Sequence, residues 1–387
     1  MKFKKAVCVF LALASIASAF AGCTAENAEI YDIKSVKVSS AKRSEIEKNV
    51  NETLEYNEFC GSAAISMNEA EVYNKAYGYA DAIKEKKLST KSCYQINVLT
   101  KTFTGIAILM LEKSGKIKLS DTLNKYFTSH GNHRYISKIK ISDLLTNKIS
   151  LGSYYDEIVS NQEEYLNYYK FLDSDDPDKY GVQISNMIIN HIFNHGVDEK
   201  SDSTMSNYYV LGKIVTLSSG TSYREYIQNN IFKPLGMKDS GFVSSKYNFS
   251  GLNMDNKVWH RQGERPEYSS YGFMYAALGI VSSSRDMAKF YIGLLNGKIG
   301  DIDVVKELRL APSREYLGFE IDGNNAYCTG RTALHCAYVH INMGNMEAVT
   351  LLSNCVGKSD INEMGNELYE IISSKINGII LSDIKNS

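Results

Sequence analysis

The sequence predicts an α+β fold: an antiparallel sheet flanked by helices, with a mainly helical insertion region between the strands at its two ends. Three observations carry this. Residues 63–82 (AAISMNEAEVYNKAYGYADA) alternate apolar and polar around turn residues, the period-2 mark of a hairpin. Residues 316–352 return to strand-like alternation, and the run ends in AVTLLSN at 348–354. Between them lie two segments that are apolar almost all round, LTKTFTGIAILML at 99–111 and YYVLGKIVTL at 208–217. Helices of that kind are buried in a core. One sheet closed by both ends of the chain, with a helical region over about 100–245, satisfies all three.

Size and charge narrow the classes. The chain has 387 residues, 44% hydrophobic and 22% charged. That supports a packed core and excludes a disordered, collagen-like or disulfide-framework protein. Lys+Arg is 43 and Asp+Glu is 44, net −1. With no basic excess, no nucleic-acid partner is expected. No internal repeat is visible.

The elements follow in order. Residues 1–22 form a signal peptide: basic MKFKK, an uncharged run from Ala6 to Gly22, then Ala21-Gly22-Cys23. This layout resembles a bacterial lipoprotein signal, which implies lipidation at Cys23, export and a membrane anchor. Phe20 stands where an aliphatic residue is usual, and ordinary cleavage after Ala19-Phe20-Ala21 is the alternative. Removing the three leader lysines leaves 40 basic against 44 acidic residues, net −4. Residues 23–52 read as a polar tether running into a first surface helix. The main domain is expected over 53–375, followed by a tail at 376–387. Within it the 208–217 helix stops at Ser219-Gly220, and 222–232 gives a shorter amphipathic helix. Residues 279–294 read as a turn and a helix from near Ser284, with Asp286 in its first turn. The Tyr-rich stretch 152–203 reads as a surface insertion or a substrate-facing lid.

Cys60, Cys93, Cys328, Cys336 and Cys355 follow the leader and Cys23. Five is odd, spacing leaves their pairing open, and no C-x-x-C pair suggests zinc. His191 and His195 are spaced i, i+4 in HIFNH, without a third ligand or the glutamate of H-E-x-x-H. His335 and His340 are an odd number apart and fall on opposite faces of a regular strand. Neither a metal nor a cofactor is expected.

The segment YQINVLTKTFT at 94–104 resembles the serine-acylation segment of the β-lactamase-related serine hydrolases: class C β-lactamases, D-Ala-D-Ala carboxypeptidases and related esterases. There an aromatic residue is followed by S-x-x-K at the start of a buried helix. EKSGKIKLSDTLNKYF (112–127) and IKISDLLTNKISL (139–151) continue the likeness, as does MSNYYVLGKIVTLSSGTSYREYIQNNIFKPLGMKDSGF (205–242). LGIVSSSRDMAKF (278–290) and AVTLLSN complete it. The resemblance runs from about Phe59 to Cys355. It implies a β-lactamase/transpeptidase-like fold.

In such enzymes a serine hydroxyl attacks a lactam or peptide carbonyl and forms an acyl-enzyme. A lysine one helical turn later and the tyrosine of Y-x-N handle its proton. A K/H-T-G strand lines the opposite wall, and two backbone N–H groups stabilise the oxyanion. Carried over residue by residue, the serine position is Val98 and the lysine is Lys101. The tyrosine position is Met205 and the asparagine is Asn207. Counting back from LLSN puts Cys328-Thr329-Gly330 at the third motif; His335-Cys336-Ala337 is an alternative register.

Valine has no transferable proton, and a thioether is no base near neutral pH. Loss of a comparable nucleophile costs on the order of a million-fold in kcat, about 8 kcal/mol of barrier. The resemblance therefore implies a non-catalytic homologue. Its cleft would bind a cell-wall peptide, a β-lactam-like small molecule or a partner protein through Lys101, Asn207, Thr329 and the amides of Val98 and Arg331. Alternatives stay open: Lys101 and Asn207 satisfying each other in a closed cleft, a serine hydrolase with a displaced nucleophile, or chemistry revived by Cys328 with its pKa lowered by Lys101.

Overall fold

Strand pairing brings the two ends of the expected sheet together. The computed structural model describes residues 40–81, 85–128, 134–154, 177–199, 203–245, 248–250, 271–331, 335–354 and 360–371. The signal peptide, Cys23, the tether as far as residue 39, residues 155–176 of the Tyr-rich stretch, Cys355 and the tail at 376–387 lie outside the described residues.

Helix α1 (Ser40–Tyr56) precedes β1 (Gly61–Met67) and β2 (Ala70–Tyr77), the hairpin read at 63–82. It runs to Tyr56, so the boundary expected at residue 53 falls inside a helix. Its buried Ile46, Val50 and Leu54 are four apart, a single stripe that sets it on the sheet. Strands β3 (Tyr79–Asp81) and β4 (Lys86–Lys87) make a small separate pair. Strand β5 (Tyr94–Gln95) and a 3₁₀ turn at Asn97–Leu99 lead into α2 (Thr100–Lys113), which buries residues on every side, as its composition predicts.

The helical region continues with α3 (Ile141–Leu145), α4 (Pro177–His195), α5 (Met205–Ser219) and α6 (Tyr223–Ile227). Helix α5 ends at Gly220, whose φ of 77° suits a residue without Cβ. Ser222 and Glu225 form a capping box that starts α6, and a wider π turn extends it to Phe232. Then come β6 (Gly241–Ser245), β7 (Asn248–Ser250), α7 (Tyr271–Leu278), β8 (Ile280–Ser282), α8 (Ser284–Leu295) and α9 (Val304–Arg309). Strand β8 occupies part of what the sequence presents as a turn. It pairs with β5 and β6 in a second, four-stranded sheet, order β5-β8-β6-β7. Asp286 of α8 is fully buried, and its Oδ2 accepts from Asp239 N (2.6 Å) and Ser240 Oγ (2.9 Å). Lys289 donates to its Oδ1 at 2.8 Å and to Gly236 O at 2.6 Å, so this pair pins the 236–240 segment to α8.

The last strands are β9 (Glu315–Tyr316), β10 (Phe319–Asp322), β11 (Asn325–Arg331), β12 (Cys336–Asn342) and β13 (Glu347–Ser353), followed by α10 (Ile361–Ile371). The main sheet runs β2-β1-β13-β12-β11-β10-β9, antiparallel throughout, with Ile65 opposite Val349. β1 and β13 bury every residue, because helices cover both faces there. A large core fills the helical side, and a smaller one lies beneath α1 and α10.

Candidate functional site

The site is built where the start of α2 meets β11. Asn97 adopts φ 53°, a left-handed conformation that asparagine tolerates better than most residues. Its Nδ2 donates to Gly330 O (3.3 Å) and His335 O (2.9 Å), tying the turn to the strand. A Cβ on Gly330 would come within 2.7 Å of Val98 Cγ2 and 2.9 Å of Val98 N. Only glycine allows so close a pass. The wall opposite Val98 is therefore Cys328-Thr329-Gly330. In the other register, His335 is fully buried and its Nδ1 accepts from Gln95 N at 3.1 Å, a structural task away from the cleft.

Between these walls lies a cavity of about 240 Å³, lined among others by Val98, Lys101, Thr204, Glu315, Cys328 and Thr329. Gly318, with φ 82°, closes another side, since a Cβ there would meet Lys101 Cβ at 2.8 Å and Thr102 N at 2.9 Å. Lys101 Nζ donates to Thr204 Oγ1 at 2.7 Å and stands 5.6 Å from the Tyr208 ring centroid. Desolvation lowers its pKa to about 8, with the Glu315 carboxylate pulling the other way. Lys101 is thus an ammonium at neutral pH, and it already has an oxygen acceptor.

The structure corrects the second motif. Asn207 does not face Lys101: its Oδ1 accepts from Leu151 N (3.0 Å) and its Nδ2 donates to Ile149 O (2.7 Å). Fully buried, it braces the 149–151 backbone and is neither a cleft ligand nor a partner for the lysine. Met205 packs against the main core. The side chain that reaches Lys101 is Thr204, immediately before α5. The reason is angular: each residue of a helical turn rotates the side chain by about 100°, so a short motif names the turn but not which residue points inward. Thr204 and Glu315 are the site residues that sequence reasoning missed. Thr204 adjoins the quoted motif, whereas Glu315 belongs to no motif.

Cys328 lies in the cavity wall, and burial pushes its thiol up to about 12, outweighing the pull of Lys101. It is a neutral thiol, contrary to the lowered pKa that would revive chemistry. Thr329 lines the cavity and its hydroxyl donates to Ala337 O at 3.4 Å. Arg331, the last residue of β11, is exposed and stands opposite Cys336 in the ladder. His191 and His195 lie side by side on α4, with ring centroids 5.7 Å apart. Among the described residues, no group of three or more metal-ligating side chains is placed to hold an ion.

Chemically, the arrangement offers an ammonium, a threonine hydroxyl and a carboxylate around a small cavity. An isopropyl group occupies the helix start.

The comparisons with known proteins bear on the family and the fold. The family model described as Beta-lactamase matches residues 46–325. A putative penicillin-binding protein PbpX of Bacillus subtilis (strain 168) is 26% identical over 358 residues, 88% of this chain and 84% of that protein. Protein flp of Staphylococcus aureus (strain MW2) is 27% identical over 217 residues, covering 54% of this chain and 40% of that one. Among solved structures, FmtA of Staphylococcus aureus aligns with a TM-score of 0.67 at 20% identity, covering 90% of this chain and 94% of that one. A D-amino acid amidase from Ochrobactrum anthropi SV3 aligns with a TM-score of 0.65 at 18% identity, covering 88% and 99%. Likeness at that identity establishes the fold alone.

Proposed function

Since this chain belongs to the Beta-lactamase family, we propose that it is an exported, membrane-tethered member whose cleft holds a ligand without acylating it. The ligand is a cell-wall peptide, a β-lactam-like molecule or a partner protein that presents a carbonyl or carboxylate. One observation carries this reading: the residue beside Gly330 at the start of α2 is Val98, which has no attacking atom, while Lys101 one turn on is retained in the cavity. The retained ammonium supplies charge, and the backbone at Val98 requires no particular side chain. The name of the Bacillus relative, a putative penicillin-binding protein, supports a ligand of that chemistry. The tether rests on the Ala21-Gly22-Cys23 segment after the uncharged run.

The test is incubation of the purified protein with a chromogenic cephalosporin and a fluorescent penicillin, read by turnover and intact mass. We expect neither turnover nor adduct, together with a saturable rise in Tm on adding D-Ala-D-Ala peptides. Turnover or a covalent adduct overturns the reading. For the tether, mass spectrometry of the N-terminal peptide from a bacterial host should find a lipidated Cys23. An unmodified terminus produced by cleavage after Ala21 defeats that part.

A second reading has its own observation. Thr204 Oγ1 is a hydroxyl 2.7 Å from Lys101 Nζ, so above pH about 8 the neutral amine faces a displaced nucleophile. This reading requires an adduct that maps to Thr204 and accumulates faster as pH rises through 8.

A further inference from the structure

The opposite side of β11 carries a second, larger cavity of about 550 Å³, between strands β10–β12 and helix α10. Its volume falls within the roughly 300–1,000 Å³ usual for small-molecule sites. Its lining is unlike that of the first cavity. Three tyrosines, Tyr327, Tyr338 and Tyr369, share it with asparagines and with the carboxylates of Glu320 and Glu370. The polar groups are organised. Tyr338 OH donates to Asn366 Oδ1 at 2.7 Å, and Asn342 Nδ2 donates to Tyr369 OH at 2.8 Å.

At the floor, His340 is 2% exposed and sits between the rings of Tyr369 (3.6 Å between centroids) and Tyr327 (4.4 Å). Its Nε2 lies 3.1 Å from Asn325 Oδ1, which also accepts from Asn342 Nδ2 at 2.9 Å. A carbonyl oxygen only accepts, so Nε2 carries the proton and Nδ1 is a bare lone pair. That Nδ1 is buried with no hydrogen-bond partner among the described residues. A covered acceptor without a donor is a standing cost. The cluster sets one unmet buried acceptor, His340 Nδ1, among tyrosine and asparagine groups that both donate and accept, beside flat apolar ring faces.

We propose that this cavity binds a saccharide ring. A pyranose matches this lining: its rim hydroxyls both donate and accept, and its flat C–H face can lie on tyrosine. Glu320, Tyr327 and Thr329 line both cavities, so the saccharide site abuts the first cavity across the β10–β11 edge. The proposal concerns sugar binding alone and holds whether or not the first cavity takes a peptide.

The test uses the whole protein with β-1,4-linked N-acetylglucosamine oligomers, cello-oligosaccharides and malto-oligosaccharides. Calorimetry and saturation-transfer NMR read the soluble sugars; co-sedimentation with purified peptidoglycan reads the polymeric source. Saturable binding is expected for at least one soluble series. Tyr327→Ala should weaken it by tenfold or more, and Asn366→Ala, at an exposed helical position, severalfold. Circular dichroism and Tm confirm that each variant is folded. No saturable binding to any sugar overturns the proposal. So does sugar binding that both folded variants leave unchanged, or binding of quaternary amines in place of sugars.

Discussion

Lys101 Nζ and Thr204 Oγ1 meet at 2.7 Å, a contact that ties the first turn of α2 to the residue before α5. The hydroxyl gives a desolvated ammonium its oxygen partner and holds both sides of the first cavity at a fixed separation. Thr204→Val keeps the shape and removes that acceptor. The Lys101 pKa should then fall below about 8, and stability should drop by about 1–3 kcal/mol. Lysine-selective NMR titration and urea denaturation measure the two effects.

Lys101 also sets a pH dependence of known sign. In the unfolded chain the amine holds its proton up to its ordinary value of 10.5, but in the fold only up to about 8. Between these values the unfolded chain binds more protons, so stability rises with pH across that window. Below pH 8 the burial penalty is fully present. Lys101→Met should be the more stable protein below pH 8, and its advantage should shrink between pH 8 and 10.5, by at most about 3 kcal/mol. Denaturation curves at stepped pH, taken as the difference between the two proteins, isolate this from the tyrosines. A difference that stays flat over the window contradicts a lowered pKa.

Gly330→Ala places a methyl group 2.7 Å from Val98 Cγ2 and 2.9 Å from Val98 N. A side chain can turn away, but the backbone nitrogen cannot. A loss of about 1–3 kcal/mol is expected from overpacking, and Val98→Ala should recover only part of it. Full recovery in the double variant would mean that the side chain alone sets the approach.

Asp286→Ala leaves Lys289 with the Gly236 carbonyl but without its counter-charge, and removes the carboxylate that accepts from Asp239 N and Ser240 Oγ. Removing one member of a buried ion pair costs about 3–5 kcal/mol. Because burial raises the Asp286 pKa, the carboxylate is held by these contacts against its desolvation cost. Asp286→Asn, which keeps one carbonyl acceptor, should lose less, as a Tm comparison of the two variants would reveal.

Val98→Ser alone should restore little acylation. The new hydroxyl would face a lysine already engaged by Thr204, with Met205 in the core and Cys328 a neutral thiol. Rapid acylation of this single variant by a fluorescent penicillin would show that the proton path survives intact.

Much of the fold is legible along the chain, for physical reasons. The 63–82 hairpin shows because β2, at the edge of the main sheet, is only partly covered and carries polar Glu71, Asn74 and Lys75 between apolar residues. Helix α2 shows because it is buried on every side. Strand β8 does not show: three residues between a turn and a helix are too few to set a period. At the site, Val98 and Lys101 are legible because both stand on one helix start. Asn207 is not, because its motif spacing is the same whether its amide points at a ligand or at the backbone of residues 149 and 151. Glu315 joins the cavity that Lys101 lines from more than two hundred residues away in sequence, and no local pattern encodes that.

The pairing of β1 with β13 has a consequence for synthesis. Among the described residues, the earliest strand sits second in a row of seven, and one of its two neighbours is the latest. A growing polypeptide leaving the ribosome cannot close this row until residue 353 has emerged. Until then one side of β1 stays unzipped, a sticky margin that invites mispairing and holdase capture. Shortening the gene from its 3′ end by even one strand should therefore yield aggregate rather than a smaller protein.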